Sequence, residues 1–354
     1  MIGWNDVYNV VVAMVPLYVP LFLGYASVKW WNMFTSEQCN AINGMTCFFI
    51  LPLLIFEFTT HINPFKMNYI FVAGDVISKC FIIVLLWGCT YFIDDGFEWC
   101  ITNFSIFSIT NGIIMGSVVM RAMYGSLGEN IVIQSVILQL IFWVMILMFM
   151  LEVRRARQDF NSVSTIEKSG KDLEENNSVQ DIDVNVVQPS LWLLAKTVLG
   201  KLAKNPNCIA CIAGFIWALI ASRWHFEMPR IIEGSITVMS KAATGTSMFC
   251  MGLFMALNKK IFACSAKVTV VTMISRFILG PFSLGLACFA LGLRGDLLRI
   301  AIVQAALPPA VLSFVYAKQY GLHAEVTSTG VIFGTVLSLP ILIAYFAVVE
   351  CIDF

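Results

Sequence analysis

Ten apolar stretches run along the chain, and two of them are interrupted by residues that disrupt a helix. Asn111 interrupts the stretch 99–124, and Pro308-Pro309 interrupt the stretch 297–320. Inside a bilayer every backbone N–H and C=O needs a partner, so a broken helix persists only around a protein-lined cavity. A pair of broken segments at corresponding positions in two halves is typical of a transporter's binding site. We therefore expect a site near the middle of the membrane, where the two breaks meet.

The composition indicates a polytopic membrane protein and argues against several other classes. Hydrophobic residues make up 59% and charged residues 12%, against about 45–50% and about 25% in a soluble domain. A formal net charge of zero argues against a nucleic-acid partner. Most of the eleven cysteines lie in apolar stretches and are typical of packing residues. No nucleophile–base set and no zinc-site spacing appears, so we predict no enzyme, metal or cofactor.

The stretches form a group of five, a polar segment, and a second group of five. They cover 7–28, 39–59, 69–92, 99–124 and 130–151, then 207–222, 230–257, 267–291, 297–320 and 326–349. Their lengths suit membrane-spanning helices. The segment between the groups is rich in Ser, Asn and charged residues, which predicts a disordered linker. The predicted units are a first repeat (1–153), the linker (154–190) and a second repeat (191–354).

The two halves resemble each other in register. Residues 77–79 (Ile-Ser-Lys) match residues 274–276 (Ile-Ser-Arg), and the break follows 32 residues later in both, from 79 to 111 and from 276 to 308. Five spans per half place the second half inverted in the membrane, as in many secondary transporters. Two unrelated helical halves are the alternative. The predicted fold is all-α, with ten transmembrane helices in two inverted five-helix repeats.

The distribution of basic residues predicts the orientation. Lys and Arg residues follow the fifth span, precede the sixth, follow the seventh and end the ninth, all on the linker's side of the membrane. Short basic loops face the cytosol. We therefore predict a cytosolic linker and extracytosolic termini, although four arginines on the opposite side weaken the asymmetry.

Asn111 and Pro308 are the first candidate site residues. Asn111 is followed by Gly112, and this pair favours an interruption because both residues tolerate left-handed backbone. A half-helix that starts here exposes free N–H groups and a positive dipole end, which suit a carboxylate. A simple kink is the alternative. Pro308 and Pro309 must break the ninth span, because proline lacks an N–H donor and clashes with the preceding turn.

Three further polar residues lie inside spans. Asp75 and Lys79 are spaced i, i+4, with the acid N-terminal to the base, so they share one helix face in the favourable order. Charges within the membrane indicate a functional role by default, and a purely structural ion pair is the alternative. Gln139 lies midway along the fifth span and could reach Asn111 or a ligand. Its alternative role is a hydrogen bond between helices.

Several motifs then resemble the PIN-FORMED auxin efflux carriers, and they extend from the first span to the last. The motifs are Met14-Val-Pro-Leu-Tyr-Val, Asn63-Pro-Phe-Lys-Met, Ala122-Met-Tyr-Gly, Asn205-Pro-Asn, Met251-Gly-Leu-Phe-Met-Ala, Ala305-Ala-Leu-Pro and Ser328-Thr-Gly-Val-Ile-Phe-Gly. The short linker resembles that of the short-loop members, which mostly reside in the endoplasmic reticulum. The plasma membrane is the alternative location.

The resemblance implies crossed broken helices four and nine, as in NhaA and bile-acid symporters, and a homodimer. It implies export of the indole-3-acetate anion from the cytosol by an elevator-like movement without a coupling ion. The family's carboxylate-binding asparagine falls on Asn111 and its supporting glutamine on Gln139. Its acid–base support pair falls on Asp75 and Lys79. Its second crossover proline falls on Pro308, and a pocket-lining valine falls on Val311.

The chain also departs from the family pattern. Family prolines near the two breaks are replaced by Thr110, Val118 and Ser313, and a glutamine after the second crossover proline is replaced by Pro309. A pocket serine is Ile55 here, and a pocket tyrosine is Val144. We expect a more apolar pocket, in which Ile55, Ile114 and Val311 pack the indole. The alternatives are a proton- or sodium-coupled organic-anion symporter and a membrane regulator that no longer transports.

Overall fold

The structure, a computed structural model, describes residues 4–92, 95–171, 191–257 and 266–352. Within these ranges the chain is helical and contains no β-strand. Its helices are α1 (Trp4–Lys29), α2 (Ser36–Met45), α3 (Leu51–Thr60), α4 (Tyr69–Cys89), α5 (Gly96–Ser108), α6 (Ser117–Leu138), α7 (Val144–Lys171), α8 (Leu191–Leu202), α9 (Pro206–Trp224), α10 (Arg230–Leu257), α11 (Ala266–Ala290), α12 (Asp296–Ala305), α13 (Val311–Gln319) and α14 (Ala324–Glu350).

Helices coincide with every predicted span. Among the described residues, seven segments are long and apolar enough to cross a membrane. The two broken spans are split between shorter helices, and α10 carries Arg230, Glu233 and Lys241 along an otherwise apolar sequence. The chain is therefore an all-helical, polytopic membrane protein. The total of ten spans and the inversion of the second half stay predictions.

Three π-helical turns interrupt the longer helices, at Thr46–Ile50, Gly112–Gly116 and Gln139–Trp143. Such turns often occur at functional sites. Gly125 has a φ of 62°, a value that favours glycine, and it separates the fourth predicted span from the fifth within α6. Two of the three π-helical turns contain predicted site residues, Ile114 and Gln139.

The helix of the fifth span extends past its apolar part. Helix α7 continues to Lys171, into the segment that the sequence predicts as a linker. Good helix formers such as Arg, Gln, Glu and Lys in this segment extend the spanning helix past its apolar part. Residues 172–190, the rest of the predicted linker, lie outside the described residues. The chain resumes with α8, a helix that we did not predict from the sequence.

The helices pack in two groups. The side bundle consists of α1, α2, α3, α9 and α10, in which α1 packs along α10 and α3 along α9. The crossover bundle consists of α4–α7 and α11–α14. Helices α1 and α10 approach closely, because a Cβ on Gly24 or Gly252 would collide with backbone atoms of the other helix. Small residues at such contacts are a common means of packing helices within membranes.

Candidate functional site

The two broken spans cross and hydrogen-bond to each other through their backbones. The Asn111 N–H donates to the Pro308 carbonyl at 2.9 Å, and the Ala310 N–H donates to the Ile109 carbonyl at 2.9 Å. Together they form a short antiparallel bridge between Thr110 and Pro309. The sequence-predicted breaks therefore meet, and each supplies the hydrogen-bond partner that the other lacks as a broken helix.

Local sequence explains why the chain can cross here. Helix α5 ends at Ser108 and α12 ends at Ala305, and the connecting residues Ile109 and Ala310 have extended backbone. Two glycines make room for the crossing. A Cβ on Gly334 would lie 2.7 Å from the Pro309 ring, and one on Gly116 would lie 2.6 Å from the Leu307 side chain.

Asn111 begins the second half of its broken span. Its carbonyl accepts hydrogen bonds from the N–H groups of Met115 (3.3 Å) and Gly116 (3.1 Å). The side chain is only 5% exposed, and its Nδ2 has no hydrogen-bond partner among the described residues. A buried amide without a partner is costly unless a ligand or water supplies one. The Asn111 amide is therefore a polar group at the crossover that a ligand or water would satisfy.

Gln139 binds the residue before Asn111. Its Oε1 accepts from the Thr110 N–H (2.8 Å) and the Thr110 hydroxyl (3.1 Å), and its Nε2 donates to the Thr110 carbonyl (3.0 Å). The structure thus places Gln139 beside the crossover, where it fixes the backbone leading into Asn111. Of the two roles considered for Gln139, the structure shows the hydrogen bond between helices. Direct contact of Gln139 with a ligand stays a prediction.

Asp75 and Lys79 form a buried ion pair with an N–O distance of 3.0 Å. The Asp75 carboxylate also accepts a hydrogen bond from the Trp143 indole at 2.9 Å. Trp143 lies four residues after Gln139, so one stretch of helix supports both Thr110 and Asp75. Trp143 was not predicted as a site residue, although its i, i+4 relation to Gln139 could have indicated it.

A cavity of about 590 Å³ lies between the side bundle and the crossover. Ile114 and Val311, in the first turns of the two half-helices, are part of its wall. The side bundle contributes residues from α2, its π-helical turn and α10 that the sequence analysis did not select. They include Asn43, Thr46, Ser247, Cys250, Met251 and Phe254.

Four of the six residues predicted to contact the substrate do not line this cavity, and neither does the pair Asp75 and Lys79. Asn111, Gln139, Pro308 and Ile55 are absent from its wall, and Ile55 is 4% exposed, within the hydrophobic core. Asn111 nevertheless lies only three residues before Ile114. A second cavity, of about 350 Å³, lies among α3, α9 and α10 and contains none of the crossover residues.

A polar cluster lies at the end of the molecule where α7 leaves the bundle. Lys201 of α8 donates to Glu152 and, at 3.0 Å, to the Tyr320 hydroxyl. Burial lowers the pKa of Lys201, but its hydrogen bonds with Glu152 and Tyr320 outweigh burial and raise the pKa above its ordinary value of 10.5. The amine is therefore charged at neutral pH and ties α8 to the crossover bundle.

The chain is similar to known membrane transport proteins along almost its whole length. The family model described as membrane transport protein matches residues 9–346. Auxin efflux carrier component 5 of Arabidopsis thaliana is 48% identical, over 99% of this chain and 100% of that protein. Probable auxin efflux carrier component 5a of Oryza sativa subsp. japonica is 46% identical, over 99% and 100%. Auxin efflux carrier component 8 of Arabidopsis thaliana is 37% identical, also over 99% and 100%.

Proposed function

Because the chain belongs to the membrane transport protein family, with the short auxin efflux carriers among its relatives, we propose that it carries the indole-3-acetate anion across a membrane. It is a transporter and not an enzyme. The proposed direction is out of the cytosol, into the lumen of the endoplasmic reticulum. Such transport would contribute to intracellular auxin homeostasis.

The carboxylate of the substrate would bind at the crossover. Two half-helices begin there, at Gly112 and at Val311, and the first N–H groups of each have no intrahelical acceptor. Their positive dipole ends favour an anion. The unpartnered Asn111 amide adds one more donor. This buried amide at the meeting point of two helix N-termini is the observation that carries the proposal.

The cavity would hold the aromatic part of the substrate. Ile114 and Val311 lie on the crossover side of its wall, and Met251 and Phe254 lie on the side-bundle side. Phe254 packs against Phe314 with ring centroids 4.3 Å apart. A planar apolar ring is stabilised by such a lining. Ile55 lies outside this wall, so its proposed contact with the ring requires another conformation of the side bundle.

The packing of the helices suggests how the substrate could move. The cavity lies between the side bundle and the crossover bundle, so a shift of the crossover bundle past the side bundle would carry the site with it. We propose this elevator-type movement, within a homodimer whose termini are lumenal and whose linker is cytosolic. Membrane potential would contribute about 2.3 kcal/mol per charge for each 100 mV.

An ion-coupled symporter is the second candidate for this fold. It needs a free intramembrane acid or a sodium site. The buried acids of the crossover bundle among the described residues, Asp75 and Glu152, already have partners. Asp75 binds Lys79 and Trp143, and Glu152 binds Lys201. Neither occupied carboxylate nor any other observation on the described residues favours coupling over uniport. A membrane regulator without transport activity is the third candidate, and the cavity beside the unpartnered Asn111 amide argues for transport instead.

The test compares Asn111→Ala with Asn130→Ala, which removes an exposed asparagine on α6. Binding of indole-3-acetate to purified protein and the current in a solid-supported membrane are measured for both variants. We expect Asn111→Ala to abolish binding and current while the protein stays folded, because the carboxylate loses its side-chain donor. Asn130→Ala should behave like the wild type.

Unchanged binding in Asn111→Ala would disprove the assignment of the site. A folded wild type without any saturable current would disprove auxin transport. A current that requires a proton or sodium gradient would support the symporter instead.

A further inference from the structure

Arg276 of α11 binds the second crossover directly. Its Nη1 donates to the Ala305 carbonyl at 2.8 Å, and its Nη2 donates to the Leu307 carbonyl at 2.8 Å. Leu307 precedes Pro308, whose carbonyl accepts the Asn111 N–H. A single planar guanidinium therefore connects the end of α12 to the hydrogen bond that positions Asn111.

The surroundings of Arg276 are built to hold it in place. The residue is 1% exposed. A Cβ on Gly280, one turn later in α11, would collide with the guanidinium, so glycine at this position opens its path to α12. Burying a guanidinium without a carboxylate is costly, which indicates that the charge serves a purpose here.

The nearest buried acid is already occupied. Asp75 and Lys79 line the same small cavity as Arg276, directly beneath Thr110. Asp75 pairs with Lys79 and accepts from Trp143, and no ion pair of Arg276 occurs among the described residues. One acid and two bases thus leave one formal positive charge beneath the crossover.

Helix ends of opposite sign meet at the crossover, next to the charge of Arg276. Two helix N-termini meet at the crossover and attract an anion, but the C-terminal ends of α5 and α12 meet there too and repel it. Arg276 binds the carbonyls at the end of α12 and neutralises that negative end. With these carbonyls capped, the negative end of α12 opposes the two positive helix ends less strongly.

We propose that Arg276 is the positioning residue that makes the crossover selective for a carboxylate anion over a neutral ligand of the same shape. It holds the carbonyls of the second crossover in place and removes their repulsion of the bound carboxylate. This inference rests on the proposed function, because it assumes that the ligand binds at the crossover.

The experiment combines two variants with two ligands. Arg276→Gln keeps a hydrogen-bond donor but removes the charge, whereas Arg276→Lys keeps the charge but gives up the planar fork. The ligands are indole-3-acetate and its neutral amide, indole-3-acetamide, and their dissociation constants are measured on purified protein that has passed a thermal unfolding check.

We expect Arg276→Gln to raise the dissociation constant of indole-3-acetate by about tenfold or more. This is the size of effect that a charge has when it acts on a helix end away from water. Binding of indole-3-acetamide should change much less. Arg276→Lys should keep the wild-type preference for the anion to within about threefold, because a point charge still caps α12.

Four results would contradict the proposal or the function on which it rests. Equal weakening of both ligands by Arg276→Gln would mean that Arg276 acts only on structure, and no weakening would mean that it does not act on the site. If Arg276→Gln does not fold, Arg276→Lys decides alone, and loss of its preference for the anion overturns the proposal. A folded wild type that binds neither ligand contradicts the proposed function and is thereby distinguished from failure of this inference.

Discussion

The two crossovers are supported in different ways, although they have the same position in the two halves. In the first half, the neutral amide of Gln139 binds Thr110, and the nearby Lys79 is neutralised by Asp75. In the second half, Arg276 binds the carbonyls of Ala305 and Leu307. Thr272 stands four residues before Arg276, where Asp75 stands four before Lys79.

The two halves, which the sequence predicts to be repeats, share the backbone crossing but not the side chains that support it. The backbone crossing needs a rigid partner on each side, and an amide or a guanidinium can supply one. The net charge beneath the crossover is free to differ, because it depends on whether an acid accompanies each base. One acid therefore accompanies two bases beside the crossover, and the excess positive charge would favour the carboxylate that we propose to bind there.

The largest effect on this comparison should come from breaking the ion pair of the first half. We expect Asp75→Asn to destabilise the protein by about 3–5 kcal/mol, because it leaves the buried Lys79 without a counter-charge. Thermal unfolding in detergent measures the loss. The double variant Asp75→Asn/Lys79→Met should recover much of it, since no lone charge remains. If Asp75→Asn were as stable as the wild type, the ion pair would not contribute to the stability of the protein.

A smaller effect should follow from removing the neutral support of Thr110. Gln139→Leu leaves the Thr110 N–H and carbonyl buried without partners. We expect a loss of about 2–3 kcal/mol, because each group costs at least about 1 kcal/mol. Gln134→Leu in the same helix is the matched control, because it removes only the contact with the Asn68 N–H. Unfolding temperatures of the two variants should therefore rank Gln139→Leu below Gln134→Leu. The reverse order would contradict the structural role of Gln139 at Thr110.

The smallest effect concerns the loop that ties the second half to the first. His323 stacks on Trp99, with ring centroids 4.2 Å apart, and its Nδ1 lies 3.0 Å from the Thr102 hydroxyl. Burial lowers the pKa of His323 below its ordinary value of 6.5, Glu98 and Asp95 raise it, and Arg154 lowers it. The net direction is down, so the folded protein prefers the neutral ring.

Because the unfolded chain then binds the proton more readily, stability should fall as the pH drops below about 6.5. The contribution should be small for this half-buried ring, and His323→Gln should remove it. Unfolding temperatures between about pH 8 and pH 5.5 test this, with His225→Gln as the control. An identical pH dependence in His323→Gln and the wild type would exclude His323 as its source.

Much of the fold could be predicted from sequence, because lipid permits few solutions. Apolar stretches of sufficient length become helices, and all ten predicted stretches coincide with them. The end of α7 could not be predicted from the sequence. The helix continues to Lys171, past the apolar part of the fifth span, since a spanning helix provides a nucleus that local composition does not reveal.

The candidate site could be predicted in part. Asn111 and Pro308 were selected because they break helices, and the structure brings them into direct hydrogen-bonding contact. Ile114 and Val311 line the cavity, whereas Ile55 does not. The α10 residues of the cavity were missed, because Met, Phe and Ser on a membrane helix look alike whether they face lipid, protein or a ligand.

The sequence by itself determined the helical, membrane-embedded class of the protein, its two breaks and its membership of an auxin carrier family. These follow from composition, from proline and asparagine chemistry and from motifs, all of which are local properties. Only the tertiary structure decided that Gln139 supports Thr110, that Asp75 is shared by Lys79 and Trp143, and that Arg276 caps α12 without an acid. Hydrogen bonds and charge balance depend on which side chains meet in space, and residues far apart in sequence meet only after packing.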